Sequence, residues 1–253
     1  MCYNKLNEMK MRNAKMVFKR KVYDKLAEWK ALSAGKSAVL LEGARRIGKS
    51  TIVEEFAKNE YDDYMILDFA RENKDVKNNF IENMNDLDTF FRNLFLLKGR
   101  SLRGKTCALI FDEVQLFPQA RQAIKYLVAD GRYEYIETGS LISIRKNVKD
   151  ILIPSEEYRI KMYPMDFEEY LWAIGDEVTI PMIKDSFQKR KALGDAIHRK
   201  IMKNFRTYMV VGGMPQAIDA YVAGKSYEQI DFVKRNILSL YEEDLAKYDT
   251  ENR

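Results

Sequence analysis

The segment Gly43-Ala44-Arg45-Arg46-Ile47-Gly48-Lys49-Ser50 constrains the fold more than any other, because its spacing is that of a backbone loop built to hold phosphate. It stands between a short apolar run, residues 37–42, and a stretch, residues 50–58, in which Ile52, Val53, Phe56 and Ala57 share one helical face. A strand that feeds a glycine loop into a helix N-terminus aims main-chain N–H groups and the positive end of the helix at one point. Lys49 is then expected to reach the β and γ phosphates of a nucleotide and the Ser50 hydroxyl to bind Mg²⁺.

Further apolar runs at 64–69, 106–111, 133–138 and 158–164 read as strands, with Pro164 marking the exit of the last. Helical patterns fall at residues 22–29, 87–97 and 119–129, and then at 167–172, 183–193, 197–209, 216–222 and 226–247. The stretch between residue 69 and Leu87 reads only as polar. Strands alternating with helices imply an α/β fold, a P-loop NTPase with a parallel five-stranded sheet, helices on both faces and a smaller C-terminal helical subdomain. The expected division is an N-terminal extension at 1–17, a nucleotide-binding domain at 18–163 and a helical subdomain at 164–253. No apolar run approaches the roughly 18–20 residues of a membrane span, so a cytoplasmic protein without a membrane partner is expected. Two cysteines, Cys2 and Cys107, give no disulfide framework. The net charge of +5 is a mild excess. Basic residues concentrate near the start, at Lys15, Lys19, Arg20, Lys21, Lys25 and Lys30, where the simplest reading is a helix with a solvated basic face and the alternative is a DNA-binding surface.

The third apolar run ends in Asp112-Glu113, which puts an acidic pair at the carboxyl edge of the sheet. Asp112 is the expected Mg²⁺ partner and Glu113 the expected general base that polarises the attacking water. The fourth run ends Thr138-Gly139-Ser140, and Thr138 is expected to sense the γ phosphate or hold that water if its strand lies mid-sheet. Arg145 and Arg159 are the candidates for an arginine that meets charge on the transferred phosphoryl group, within the chain or from a neighbour. Arg45 and Arg46 are expected to face solvent or a partner. His198, the sole histidine, supports neither a metal site nor a triad; Asp68 reads as a cap or a site neighbour, and Tyr241-Glu242-Glu243-Asp244 as a solvated helix face.

Together with Tyr163-Pro164-Met165-Asp166-Phe167 and Gly212-Gly213-Met214-Pro215, these motifs resemble those of the bacterial and archaeal AAA-type ATP-binding proteins, over about Phe18 to Tyr248. The resemblance implies that Gly43, Lys49, Ser50 and Thr51 bind ATP, Asp112 serves Mg²⁺, Glu113 serves hydrolysis and Thr138 is the sensor. It also implies a further C-terminal domain past the helix near 237–248; the chain ends at Arg253, so that domain is expected to be absent. Absence of an N-K-x-D segment after the fourth strand argues against a guanine reader, and absence of an arginine-rich lid against a small-molecule kinase. The leading expectation is Mg²⁺-dependent ATP hydrolysis driving a conformational switch, with a homo-oligomer and a DNA or protein partner as further candidates. The alternative is a nucleotide-gated binding module with little hydrolysis of its own.

Overall fold

A computed structural model describes residues 16–33, 35–140 and 156–249, with side chains up to residue 246. The described elements begin with helix α1 (Val22–Ser33) and strand β1 (Ala38–Gly43), followed by α2 (Lys49–Glu60), β2 (Asp63–Asp68), α3 (Lys74–Glu82) and α4 (Leu87–Lys98). Then come β3 (Cys107–Asp112), a 3₁₀ turn (Val114–Leu116), α5 (Pro118–Asp130), β4 (Glu134–Ser140) and β5 (Glu157–Lys161). Five helices complete it: α6 (Phe167–Ala173), α7 (Thr179–Gln188), α8 (Asp195–Val211), α9 (Pro215–Val222) and α10 (Tyr227–Asp249).

All five strands are parallel, in the order β2-β3-β4-β1-β5. Every residue of β1 and β3 is buried, which is why these strands read as continuous apolar runs: helices cover both faces of a parallel sheet. One face packs Phe69, Phe80, Phe90 and Phe111 beneath α3, α4 and α5. The other packs Val39, Leu41 and Ile136 beneath α1 and α2, through Trp29 and Phe56. A third core, with Met165, Tyr170, Val211, Ile218 and Ile230, unites the helices that follow β5.

Two elements depart from the sequence reading. Helix α3 occupies what reads as a polar stretch: Asn73 caps it by accepting from the Val76 N–H at 2.9 Å, and only Val76, Asn79 and Phe80 are buried. Helix α7 starts and stops earlier than the pattern at 183–193 suggests. Asp176 accepts from the Thr179 N–H at 2.9 Å, Pro181 sits in the first turn where its missing N–H costs nothing, and Arg190, at φ +52°, ends the helix.

The register sets the site. Gly43 lies opposite Ser140, and Asp68 opposite Asp112, so the ends of β1, β3 and β4 share one edge of the sheet. Strand β4 lies between β3 and β1, the mid-sheet position that the Thr138 reading requires.

Candidate nucleotide site

The loop leaves β1 at Gly43 and becomes α2 at Lys49. Gly48 turns it with φ +95°, in the left-handed region where a Cβ is costly. Among the described residues the N–H groups of Arg45, Arg46, Ile47 and Gly48 have no hydrogen-bond acceptor. Four adjacent main-chain donors at a helix N-terminus form an anion cradle. The Lys49 side chain is buried and folds back, its Nζ donating to the carbonyls of Gly43 at 3.0 Å and Ala44 at 2.8 Å. Burial pushes its ammonium below the ordinary value, against the opposing pull of Glu113 and Asp112.

At the edge of the sheet Asp112 Oδ1 accepts from the Ser50 hydroxyl at 2.8 Å and from the Thr138 hydroxyl. Thr138 Oγ1 in turn accepts from the Glu113 N–H at 3.3 Å. Four residues expected to act together are thus in one chain of hydrogen bonds. Thr138 is fully buried and turned toward the acids. Glu113 has a left-handed backbone, φ +56° and ψ +45°, which costs a residue with a side chain on the order of 1–2 kcal/mol and carries the chain from β3 into the 3₁₀ turn. A cavity of about 260 Å³ opens beside the loop; it is lined by Phe18, Arg46, Lys49, Ser50, Thr51, Ile52, Glu113, Pro215 and Asp219, among others.

A family model described as an AAA domain matches residues 35–171, more than half of the 253. The chain belongs to this AAA family. The matched range begins after α1 and reaches into α6, so it contains the phosphate loop, the acidic pair, Thr138 and the segment Tyr163–Phe167. A second model, described as a domain of unknown function, matches residues 202–253. This corrects the expectation that a C-terminal family domain is absent: such a domain covers most of α8 and all of α9 and α10. No curated protein matches the chain.

The AAA domain does not bring every expected residue to the loop. Arg159 lies on β5 in register with Leu40, three residues before the end of β1, and its Nε donates to Glu157 Oε2 at 2.7 Å. It is a strand-edge residue paired with an acid and does not approach its own chain's phosphate loop. Arg145 lies outside the described residues. Asp68 accepts from the Ala70 N–H at 3.0 Å, which caps the turn after β2. Among the described residues no group of three or more His, Cys, Asp or Glu side chains is placed to hold a metal, His198 included. Nor is any helix among them long and apolar enough to cross a membrane.

Several contacts around the loop escape a sequence reading. Arg20 is a buried tie and no part of a solvated face: its Nη1 donates to the Ile47 carbonyl at 2.8 Å, its Nη2 to the Tyr163 carbonyl at 2.6 Å, and its Nε lies 3.2 Å from Glu169 Oε1. Lys19 pairs with Glu177 and Lys21 with Asp166 and Glu168. Part of the basic density that suggests DNA is thereby neutralised within the chain. Of the stretch Tyr241–Asp244, Glu242 and Glu243 are exposed, but its two ends are not simply solvated: the Tyr241 hydroxyl donates to the Arg45 carbonyl at 2.6 Å, and Arg45 Nη1 lies 2.6 and 2.7 Å from the two oxygens of Asp244. The segments at Tyr163 and Gly212 meet directly, with Met165 N–H donating to the Gly213 carbonyl at 2.7 Å, and a Cβ on Gly213 would overlap the Met165 carbonyl. Pro215 then sits within 4 Å of where a Cβ on Gly48 would be.

Proposed function

We propose that the chain binds ATP with Mg²⁺ at the loop 43–51 and hydrolyses it, and that the change of nucleotide state moves the helical subdomain, residues 164–253, relative to the sheet. The observation that carries the reading is the cradle of four unpartnered N–H groups beside Lys49, Ser50, Asp112 and Glu113. The residues present fit Mg²⁺. Ser50 Oγ and Asp112 supply hard oxygen donors 2.8 Å apart, and Mg²⁺ characteristically uses one or two such groups together with waters and substrate phosphate oxygens. When bound, the ion neutralises charge on the phosphates.

In this reading the N–H groups of residues 45–48 hold the phosphate oxygens, and Lys49 exchanges its two carbonyl contacts for the β and γ phosphates. Glu113 accepts the proton of the attacking water, and Thr138 reports the γ phosphate to β4. Phe18, Ile52 and Pro215 offer apolar surface for the base, and the Asp219 carboxylate on the same cavity favours a base that presents an amino group. A purified Glu113→Gln variant should bind ATP as the wild type does and turn it over at least about 100-fold more slowly. Equal turnover would remove Glu113 as the base.

One observation favours the second reading, a nucleotide-gated module with little hydrolysis of its own. The arginines nearest the loop are committed: Arg20 to carbonyls, Arg45 to Asp244, and Arg46 Nη1 to Gln216 Oε1 at 3.3 Å. A free guanidinium for the transferred phosphoryl would then come from a second copy of the chain. Turnover that rises with protein concentration supports this, and a rate independent of concentration excludes it.

A further inference from the structure

The 3₁₀ turn after Glu113 is built with more care than a connection between a strand and a helix needs. Val114 is fully buried against Leu40, and the Leu116 N–H donates to the Glu113 carbonyl at 2.9 Å. Between them Gln115 is buried, and its side chain runs back on both sides. Its Nε2 donates to Glu113 Oε2, and its Oε1 accepts from the Ser140 N–H at 3.2 Å. Ser140 ends β4 and lies opposite Gly43, where the phosphate loop begins.

We infer that Gln115 is a positioning residue for Glu113: its amide holds the carboxylate in one orientation and ties it to the end of β4. The inference rests on the proposed role of Glu113 as general base. Among the described residues only one oxygen of that carboxylate, Oε2, has a partner. With Oε2 occupied by an N–H donor, Oε1 remains for the water, and the acceptor that takes the proton is fixed in place. An amide is the group this requires. A carboxylate at 115 could not donate to Glu113, and an aliphatic side chain could serve neither neighbour. Asn, one methylene shorter, could not span from Glu113 to Ser140. The turn is stitched to β4 twice, by Gln115 at Ser140 and by the Glu113 N–H at Thr138. The base and the phosphate loop are therefore referred to the same strand end.

The test is steady-state ATP turnover and equilibrium ATP binding by the full chain carrying Gln115→Met, Gln115→Ala, Glu113→Gln, and Glu113→Gln with Gln115→Met. Gln115→Met keeps the volume and removes the hydrogen bonds to Glu113 and Ser140, so it separates polar contact from packing. It should lower kcat by about 10–100-fold, the scale of a roughly 1 Å misplacement of a catalytic group, with ATP affinity within about threefold of wild type. In the Glu113→Gln background the same change should cost no more than about twofold, because there is no base left to position. Wild-type turnover by Gln115→Met alongside slow Glu113→Gln overturns the inference and leaves the base assignment standing. So does a loss in the double variant as large as in the single one. Fast turnover by Glu113→Gln removes the base assignment and the inference together, as does a wild-type protein that fails to turn over ATP.

Discussion

Replacing Arg20 by alanine should destabilise the protein far beyond what one residue of a lysine-rich helix would be expected to carry. The side chains of Arg20 and Glu169 are 5% and 6% exposed, so solvent screens little of their interaction. Removing one member of a buried ion pair costs about 3–5 kcal/mol, since the remaining charge stays buried without its partner. The two hydrogen bonds that the guanidinium makes to the Ile47 and Tyr163 carbonyls, at about 1.5–3 kcal/mol each for a charged donor, give an overlapping range. At about 2–4 °C per kcal/mol for a chain of this size, Tm should fall by roughly 6–20 °C in differential scanning calorimetry. Arg20→Lys should lie between, because an ammonium cannot serve two carbonyls and a carboxylate in the same fork. As Ile47 belongs to the phosphate loop, the apo protein should also bind ATP more weakly. A Tm within about 2 °C of wild type would refute the argument, since it would mean that Arg20 is solvated.

Tyr241→Phe removes one hydrogen bond to the Arg45 carbonyl, worth about 0.5–1.5 kcal/mol, so Tm should fall by roughly 1–6 °C, and ATP affinity measured by calorimetry should fall as well, since Arg45 is part of the loop. Asp244→Ala breaks a pair whose arginine is 42% exposed and should cost less than about 1 kcal/mol of stability, measured by urea unfolding. The carboxyl of Glu137 is held well above the usual carboxylate range by burial and by nearby Glu157, with Arg121 pulling the other way. The folded chain therefore keeps a proton that the unfolded chain releases, so this group's unfavourable contribution grows as pH rises from the ordinary carboxylate range through the raised value. Glu137→Gln should accordingly gain stability relative to wild type between pH 5 and pH 8. An unchanged difference at the two pH values would count against it.

What was legible in the sequence was local. The loop 43–50 and the pair Asp112-Glu113 are contiguous, and each lies at the end of an apolar run, so both the chemistry and the sheet edge could be read together. The central strands β1, β3 and β4 were legible for the same reason, because burial on both faces leaves no alternation to misread, whereas the edge strands β2 and β5 are only partly buried and were legible from their apolar and aromatic residues. Helix α3 was not, because Lys74, Asp75, Lys77 and Asn78 dilute the two apolar anchors, Val76 and Phe80. Contacts that join distant segments left no local mark: Arg45 and Asp244 are 199 residues apart, and Arg20 and Ile47 are 27 apart. Arg20 looks like any of the lysines around it, and only packing tells them apart. Where Arg159 would sit relative to the loop was not legible, because a residue's position along a strand can be guessed from sequence, whereas the register against β1 cannot. The two glycine- and proline-marked segments at 163–167 and 212–215 were recognisable as motifs, but the reason for them, a backbone-to-backbone contact that leaves no room for a Cβ at Gly213, is visible only in three dimensions.

In the proposed function, loop 43–51 holds the phosphates of ATP with Lys49 engaged on them. Titration calorimetry of ATP with Mg²⁺ into wild-type protein and Lys49→Ala tests it most directly. A charged hydrogen bond is worth about 1.5–3 kcal/mol, and each 1.4 kcal/mol is about tenfold in affinity. One ATP should bind per chain, with an affinity at least about tenfold weaker in the variant, measured at a temperature where both proteins are folded. Equal affinity in the two proteins, or no ATP binding by the wild type, would contradict it.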